Sequence, residues 1–241
     1  MNREQLEYFN SNREIPFTTH KDIMKLEKKY IEALAFITYM ASETDFETIS
    51  EIGGFEGQSE IEDNSLYSYK FKRRSEIYIN DCGKYFGKSR NTITNYLNYL
   101  EYISDYSNYL YINGEGEELL QIDHDNNDTI YRLNHKCYEG KYYTTIDTDT
   151  LRKLIQLNGT AIKLYLIIKI NYENCKRKNK PCILDMKFLA NEIGLNTTSQ
   201  ISKTLDKMDN IVIKRRLKYK SDTVNLNKKN APKKIYEYKI I

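Results

Sequence analysis

The chain of 241 residues predicts a mainly α protein with small β-hairpins, an α+β fold made of two tandem units related by internal duplication. Three echoes carry that expectation. Phe17-Thr18-Thr19 returns as Tyr143-Thr144-Thr145, 126 residues later. The run Ala33-Leu34-Ala35-Phe36-Ile37 returns as Ala161-Ile162-Lys163-Leu164-Tyr165 after 128, and Phe86-Gly87 as Ile193-Gly194 after 107. Two copies of one unit, the first carrying an insert of roughly twenty residues, explain all three offsets. Residues 1–140 form the first unit, with an acidic insert at 42–65. Residues 141–241 form a second, basic unit.

In the first unit, Leu26, Tyr30, Ala33, Leu34, Ile37 and Met40 recur at three- and four-residue steps and mark one face of a helix over 22–41. Ser42 to Ser65 holds eight acidic residues and no basic one, punctuated by Gly53, Gly54 and Gly57. It reads as an acidic loop that repels DNA and suits solvent or a protein partner. After the basic cluster Lys70, Lys72, Arg73 and Arg74, Ile79 to Tyr102 fits a helix-turn-helix. Gly83 stands where the first helix must approach the second, with Cys82 and Phe86 on its buried side. Gly87 takes the turn position that needs a left-handed backbone. Ser89 caps the second helix, and Ile93, Leu97 and Leu100 face inward. Arg90, Asn91, Thr94, Asn95 and Asn98 stay outward, where Arg and Asn match base edges in a major groove.

Tyr109 to Leu133 reads as a hairpin, Tyr109–Ile112 out and Thr129–Leu133 back. Its tip is acidic, with Glu115, Glu117, Glu118, Asp123, Asp125 and Asp128. Asp123-x-Asp125-x-Asn127 opens like a calcium loop, but Asp128 replaces the required glycine and Asn134 the closing glutamate.

The second unit opens with a strand at 142–146 and a helix around 150–157 that Asn158-Gly159 ends. A further helix runs on to about Asn174. The basic stretch Lys176, Arg177, Lys178 and Lys180 leads through Pro181 to a strand at Cys182-Ile183-Leu184. Asp185 caps a helix holding Phe188, Leu189, Ala190 and Ile193, and Gly194 takes the turn. Ile201, Leu205 and Met208 point inward, leaving Thr198, Ser199, Ser202, Lys203 and Lys207 outward. Ile211 to Lys220 reads as one strand and Ile235 to Ile241 as its return.

Charge divides with the repeat. Residues 1–140 hold 15 Lys+Arg against 25 Asp+Glu, and residues 141–241 hold 22 against 9. A unit this basic predicts a polyanionic partner. Ten basic and two acidic residues follow Asp209, which suits a hairpin that clamps phosphates. The residues assigned to that clamp are Lys214, Arg215, Arg216, Lys218, Lys228, Lys229, Lys233 and Lys234.

Mean hydropathy is −0.70, and no stretch approaches the ~18 apolar residues of a membrane helix. The N-terminus lacks a secretory pattern, so a cytoplasmic protein with no membrane partner is expected. Cys82, Cys137, Cys175 and Cys182 show no paired short spacing and read as reduced thiols. The three histidines include no His-x-His pair, and there is no phosphate-binding Gly-Lys-Ser/Thr loop or dinucleotide fingerprint. His135, Cys137, Cys175 and Cys182 fit no usual zinc spacing. Neither an enzyme nor a bound cofactor or metal is expected.

A helix, then a helix-turn-helix, then a hairpin is the order of a winged helix. Tyr143-Thr144-Thr145, Ala161 to Tyr165, Phe188-Leu189-Ala190-Asn191-Glu192-Ile193-Gly194 and the helix to Met208 resemble the tandem winged-helix replication initiators of plasmids and phages. Related winged helices occur in the RepA N-terminal family and in phage replisome organisers of low-GC Gram-positive bacteria. The resemblance covers the second unit and the whole chain in outline. It implies a sequence-specific protein that binds double-stranded DNA at origin repeats, dimerises with itself and meets replication proteins. The acidic insert and acidic first hairpin depart from two equal DNA readers. Two other readings stay open: a transcriptional or partition regulator with winged helices, and an interaction module that recruits replication factors through its acidic first unit.

Overall fold

The computed structural model describes residues 14–19, 21–42, 65–72, 82–107, 111–112, 115–116, 119–125, 128–134, 143–217 and 235–241. These residues are mainly helical, with small antiparallel sheets. Their contacts divide the chain into two units, Met1–Ile162 and Lys163–Ile241. The division lies beyond the expected 140/141 boundary, and the first strand shows why. β1 (Glu14–Thr18) pairs antiparallel with β7 (Tyr143–Asp147), Phe17 opposite Thr144 and Thr18 opposite Tyr143. Ile15, Phe17 and Ile146 are buried there. Residues 143–147, which open the expected second unit, are thereby paired with residues 14–18 near the start of the chain.

α1 (Lys21–Lys25) and α2 (Lys28–Ser42) replace the single helix expected over 22–41. The break falls at Leu26-Glu27. The Leu26 N–H bonds the Ile23 carbonyl at 3.1 Å, and the Glu27 carbonyl accepts from Tyr30 at 3.0 Å to start a new helix. The apolar spacing runs straight through this break, so periodicity hides it. Every residue from Ala33 to Tyr39 is buried, the mark of a helix enclosed on all sides. Phe36 lies at the centre, its ring 5.4 Å from Phe86 edge-on and 5.7 Å from Tyr96.

The first helix-turn-helix forms as the sequence predicts, from α3 (82–86) and α4 (Arg90–Ser107). A Cβ on Gly83 would stand 2.8 Å from the Lys88 carbonyl oxygen, and Gly87 adopts a φ of 61°. The inward stripe of α4 is Ile93, Tyr96, Leu100 and Ile103, and Leu97 is only half-buried.

The hairpin of this unit corrects the sequence reading. Among the described residues, Tyr111–Ile112 (β3) pairs only with Glu115–Gly116 (β4). The outgoing strand is β5 (Leu120–Asp125), which pairs with β6 (Asp128–Asn134). β6 also pairs with β2 (Ser65–Lys72), a strand the sequence reading passed over, giving the order β2-β6-β5. Leu120 sits opposite Leu133 and Ile122 opposite Tyr131, and the Ser104 hydroxyl donates to the Leu120 carbonyl at 2.9 Å. Leu120 and Tyr131 are buried, which selects this pairing over the apolar run at 109–112. Asp123, Asp125 and Asp128, expected at the hairpin tip, are strand residues, with Asp125 opposite Asp128.

α5 (Thr148–Leu157) starts at Asp147, whose carboxylate accepts the Thr150 N–H at 3.0 Å. α6 (Gly159–Arg177) follows after Asn158 and reaches beyond the expected Asn174 into the second unit. There the order continues as β8 (Cys182–Asp185), α7 (Met186–Glu192), α8 (Thr198–Asp206), β9 (Val212–Arg216) and β10 (Ile235–Ile240). The sheet runs β8-β10-β9, antiparallel throughout. Asp185 caps α7 through the Lys187 N–H at 3.0 Å, and Gly194 takes the turn with a φ of 72°. Ile201, Leu205 and Met208 are buried as expected, with Leu189, Ile193, Val212 and Tyr238. In each three-stranded sheet the last strand in sequence lies in the middle.

Candidate nucleic-acid interface

α4 is held at its start by a cap. The Thr92 N–H bonds Ser89 Oγ at 3.2 Å, and the two hydroxyls lie 2.8 Å apart. Ser89 therefore uses its hydroxyl to cap the helix while the residue stays exposed. Arg90, Asn91, Thr94, Asn95 and Asn98 are exposed along one stripe of α4, opposite the buried Ile93, Tyr96 and Leu100. Thr94 donates to the Arg90 carbonyl at 3.1 Å, which orients its hydroxyl along the helix.

α8 has the same relation to its core. Thr198, Ser199, Lys203 and Lys207 are exposed and Ser202 is half-buried, while Ile201, Thr204 and Leu205 are buried. Its start differs from that of α4. Thr197 occupies the cap position without a side-chain hydrogen bond to the helix, and Ser199 Oγ turns to Thr197 Oγ1 at 3.4 Å.

The basic strand β9 is sorted by the pleat. Successive side chains alternate across a sheet, so Lys214 and Arg216 share one face with buried Val212, and Arg215 lies on the other with exposed Ile213. Arg215 pairs with Glu237 across the strands, and Arg216 with Tyr236. Lys214 does not stand free for phosphate. Its ammonium bonds Asp206 at 2.7 Å and lies 5.6 Å from the centre of the Tyr236 ring. The proximity of Asp206 to Lys214 is tertiary, and no local signal announces it. Lys218, Lys228, Lys229, Lys233 and Lys234 lie outside the described residues, as do residues 43–64 of the acidic insert at 42–65, Arg73, Arg74, Glu117, Glu118, His135 and Cys137.

Among the described residues no group of three His, Cys, Asp or Glu side chains is placed to hold a metal ion, and no helix is long and apolar enough to cross a membrane. Cys182 is buried beside Cys175, and burial first, then Cys175, pushes its thiol up to about 12. No protein family matches the chain, and neither a curated protein nor a solved structure matches it.

Proposed function

We propose that this protein binds double-stranded DNA in a sequence-dependent way through two winged-helix units related by duplication, and that it acts as a plasmid or phage replication initiator at origin repeats. One observation carries the reading. The second unit joins a helix-turn-helix to a β8-β10-β9 sheet, and α8 presents Thr198, Ser199, Ser202, Lys203 and Lys207 away from its core. A polar, basic helix of that kind reads bases while a neighbouring basic hairpin holds phosphates. The β2-β6-β5 sheet repeats the strand order, which supports the duplication. So does the β1–β7 register, in which Phe17 and Thr18 each face the counterpart of the other. α4 offers Arg90, Asn91, Thr94, Asn95 and Asn98 as a second reader.

The acid-rich composition of residues 1–140 favours one further role, contact between the first unit and a replication protein. The test is binding to duplex from the flanks of its own gene. Replacing Arg215 and Arg216 together by Ala should weaken all duplexes alike and flatten the salt dependence, each lost phosphate contact removing about 0.9 from the slope. Unchanged binding by that variant overturns the basic-hairpin assignment. Direct repeats in the footprint support an initiator, and a single inverted repeat over a promoter supports a regulator.

A further inference from the structure

A cleft of about 340 Å³ opens in the second unit where α6 ends and β8 begins, and the last residues of β10 close its far side. Three lysines line it, and they come from three separate places in the chain: Lys176 from α6, Lys180 from the turn and Lys239 from β10. All three are exposed, and none has an ion-pair partner among the described residues. The C-terminal dipole of α6 accounts for Lys176 alone. The backbone fixes Lys180. Asn179 takes a left-handed φ of 55°, and the N–H of Lys180 bonds the Cys175 carbonyl at 2.9 Å. Among the described residues the only carboxylate lining the cleft is Glu237, against three lysines. Tyr172 supplies an aromatic side chain to the same space.

We propose that this cleft binds a phosphate group, supplied by a free nucleotide or by the backbone of a nucleic acid. It lies at the Cys182–Tyr238 end of the sheet, whereas the basic hairpin opens at the Arg216–Tyr236 end. It is therefore a second anion site, and it does not depend on base reading by α8. Its volume falls within the range of small-ligand pockets, about 300–1,000 Å³. Three ammonium groups around a shared space repel one another when it is empty, and a dianion relieves that repulsion.

The chain contains no tryptophan, so Tyr172→Trp places a single indole in the cleft. Emission of this variant is titrated with inorganic pyrophosphate, with AMP and with a short duplex. A saturable change is expected. Lys176→Gln and Lys239→Gln should each weaken it by on the order of tenfold, as loss of a charge-assisted contact does. Glu237→Gln should tighten it, because a repelling carboxylate is gone. A response to pyrophosphate or AMP identifies a free ligand, and a lysine-dependent response to duplex alone identifies the nucleic-acid backbone. Absence of any saturable change overturns the proposal, and so does a change indifferent to both lysines. Wild-type binding by the Arg215→Ala, Arg216→Ala double variant in this assay separates the cleft from the DNA reading, whichever of the two fails.

Discussion

The Glu32 carboxylate accepts the backbone N–H of Gly159 at 2.7 Å. Its other oxygen accepts the Tyr96 hydroxyl at 2.8 Å. One side chain on α2 thus satisfies an orphan donor at the start of α6 and fixes α4 alongside. Gly159 lies so close to α2 that a Cβ there would overlap the Lys28 carbonyl. Glu32→Ala leaves a buried N–H and a buried hydroxyl unpaired, and should cost about 2–3 kcal/mol in urea unfolding. Tyr96→Phe removes one of those bonds and should cost about 1 kcal/mol. If the double variant is no less stable than Glu32→Ala alone, the two residues act as one unit.

Alkaline pH should weaken the fold. Burial raises the thiol of Cys182 from an ordinary 9.0 to about 12, and raises the phenols of Tyr96 and Tyr238 above their ordinary 10.0. The folded chain keeps these protons at pH values where the unfolded chain releases them. The Cys182 contribution is full below pH 9 and is lost as pH rises towards 12, while those of Tyr96 and Tyr238 are full below pH 10 and outlast it. Denaturation midpoints that fall across that window, and fall less in Cys182→Ala, would bear this out. Native Cys182 should also resist iodoacetamide at pH 8, far more than the half-buried Cys175.

Gly87 and Gly194 share a left-handed backbone at the two turns, with open space where a Cβ would stand. Gly87→Ala and Gly194→Ala should therefore each cost about 1 kcal/mol, from backbone strain alone. Gly83→Ala should cost more, because the Lys88 carbonyl oxygen would have to move.

These turns were legible because glycine chemistry, cap residues and helical spacing are local. The same holds for Asp185, Ile93, Ile201 and Leu205, each placed as the sequence predicts. The helix break at Leu26-Glu27 was not legible, since both helices bury residues at one continuous spacing, whereas the break between α5 and α6 is marked by Asn158-Gly159. β2 was overlooked although Tyr67, Tyr69 and Phe71 alternate in its sequence, whereas β8 forms at the expected Cys182-Ile183-Leu184. The hairpin failed for a different reason. Choosing between 109–112 and 120–125 depends on which run finds a buried partner, and that is a tertiary fact.

Lys214 offers a test of charge bookkeeping on the basic strand. Asp206→Asn frees its ammonium, and should steepen the salt slope of duplex binding by about 0.9 if Lys214 then meets a phosphate. Stability should change by less than about 1 kcal/mol, since Asp206 is largely exposed. Lys214→Ala in the wild-type background should weaken duplex binding less than Arg216→Ala does.

Asn95→Ala should relax preference at one base position and leave affinity for unrelated duplexes unchanged. A footprint with every base preference intact removes α4 from the set of readers.

The most direct test of the central claim is binding of the full chain to labelled duplex from its own gene's flanks, against scrambled duplex, across a salt series. The account predicts tight, sequence-dependent binding that falls steeply with salt, with protection spaced as repeats. Equal, weak binding to both duplexes that vanishes with salt would contradict it.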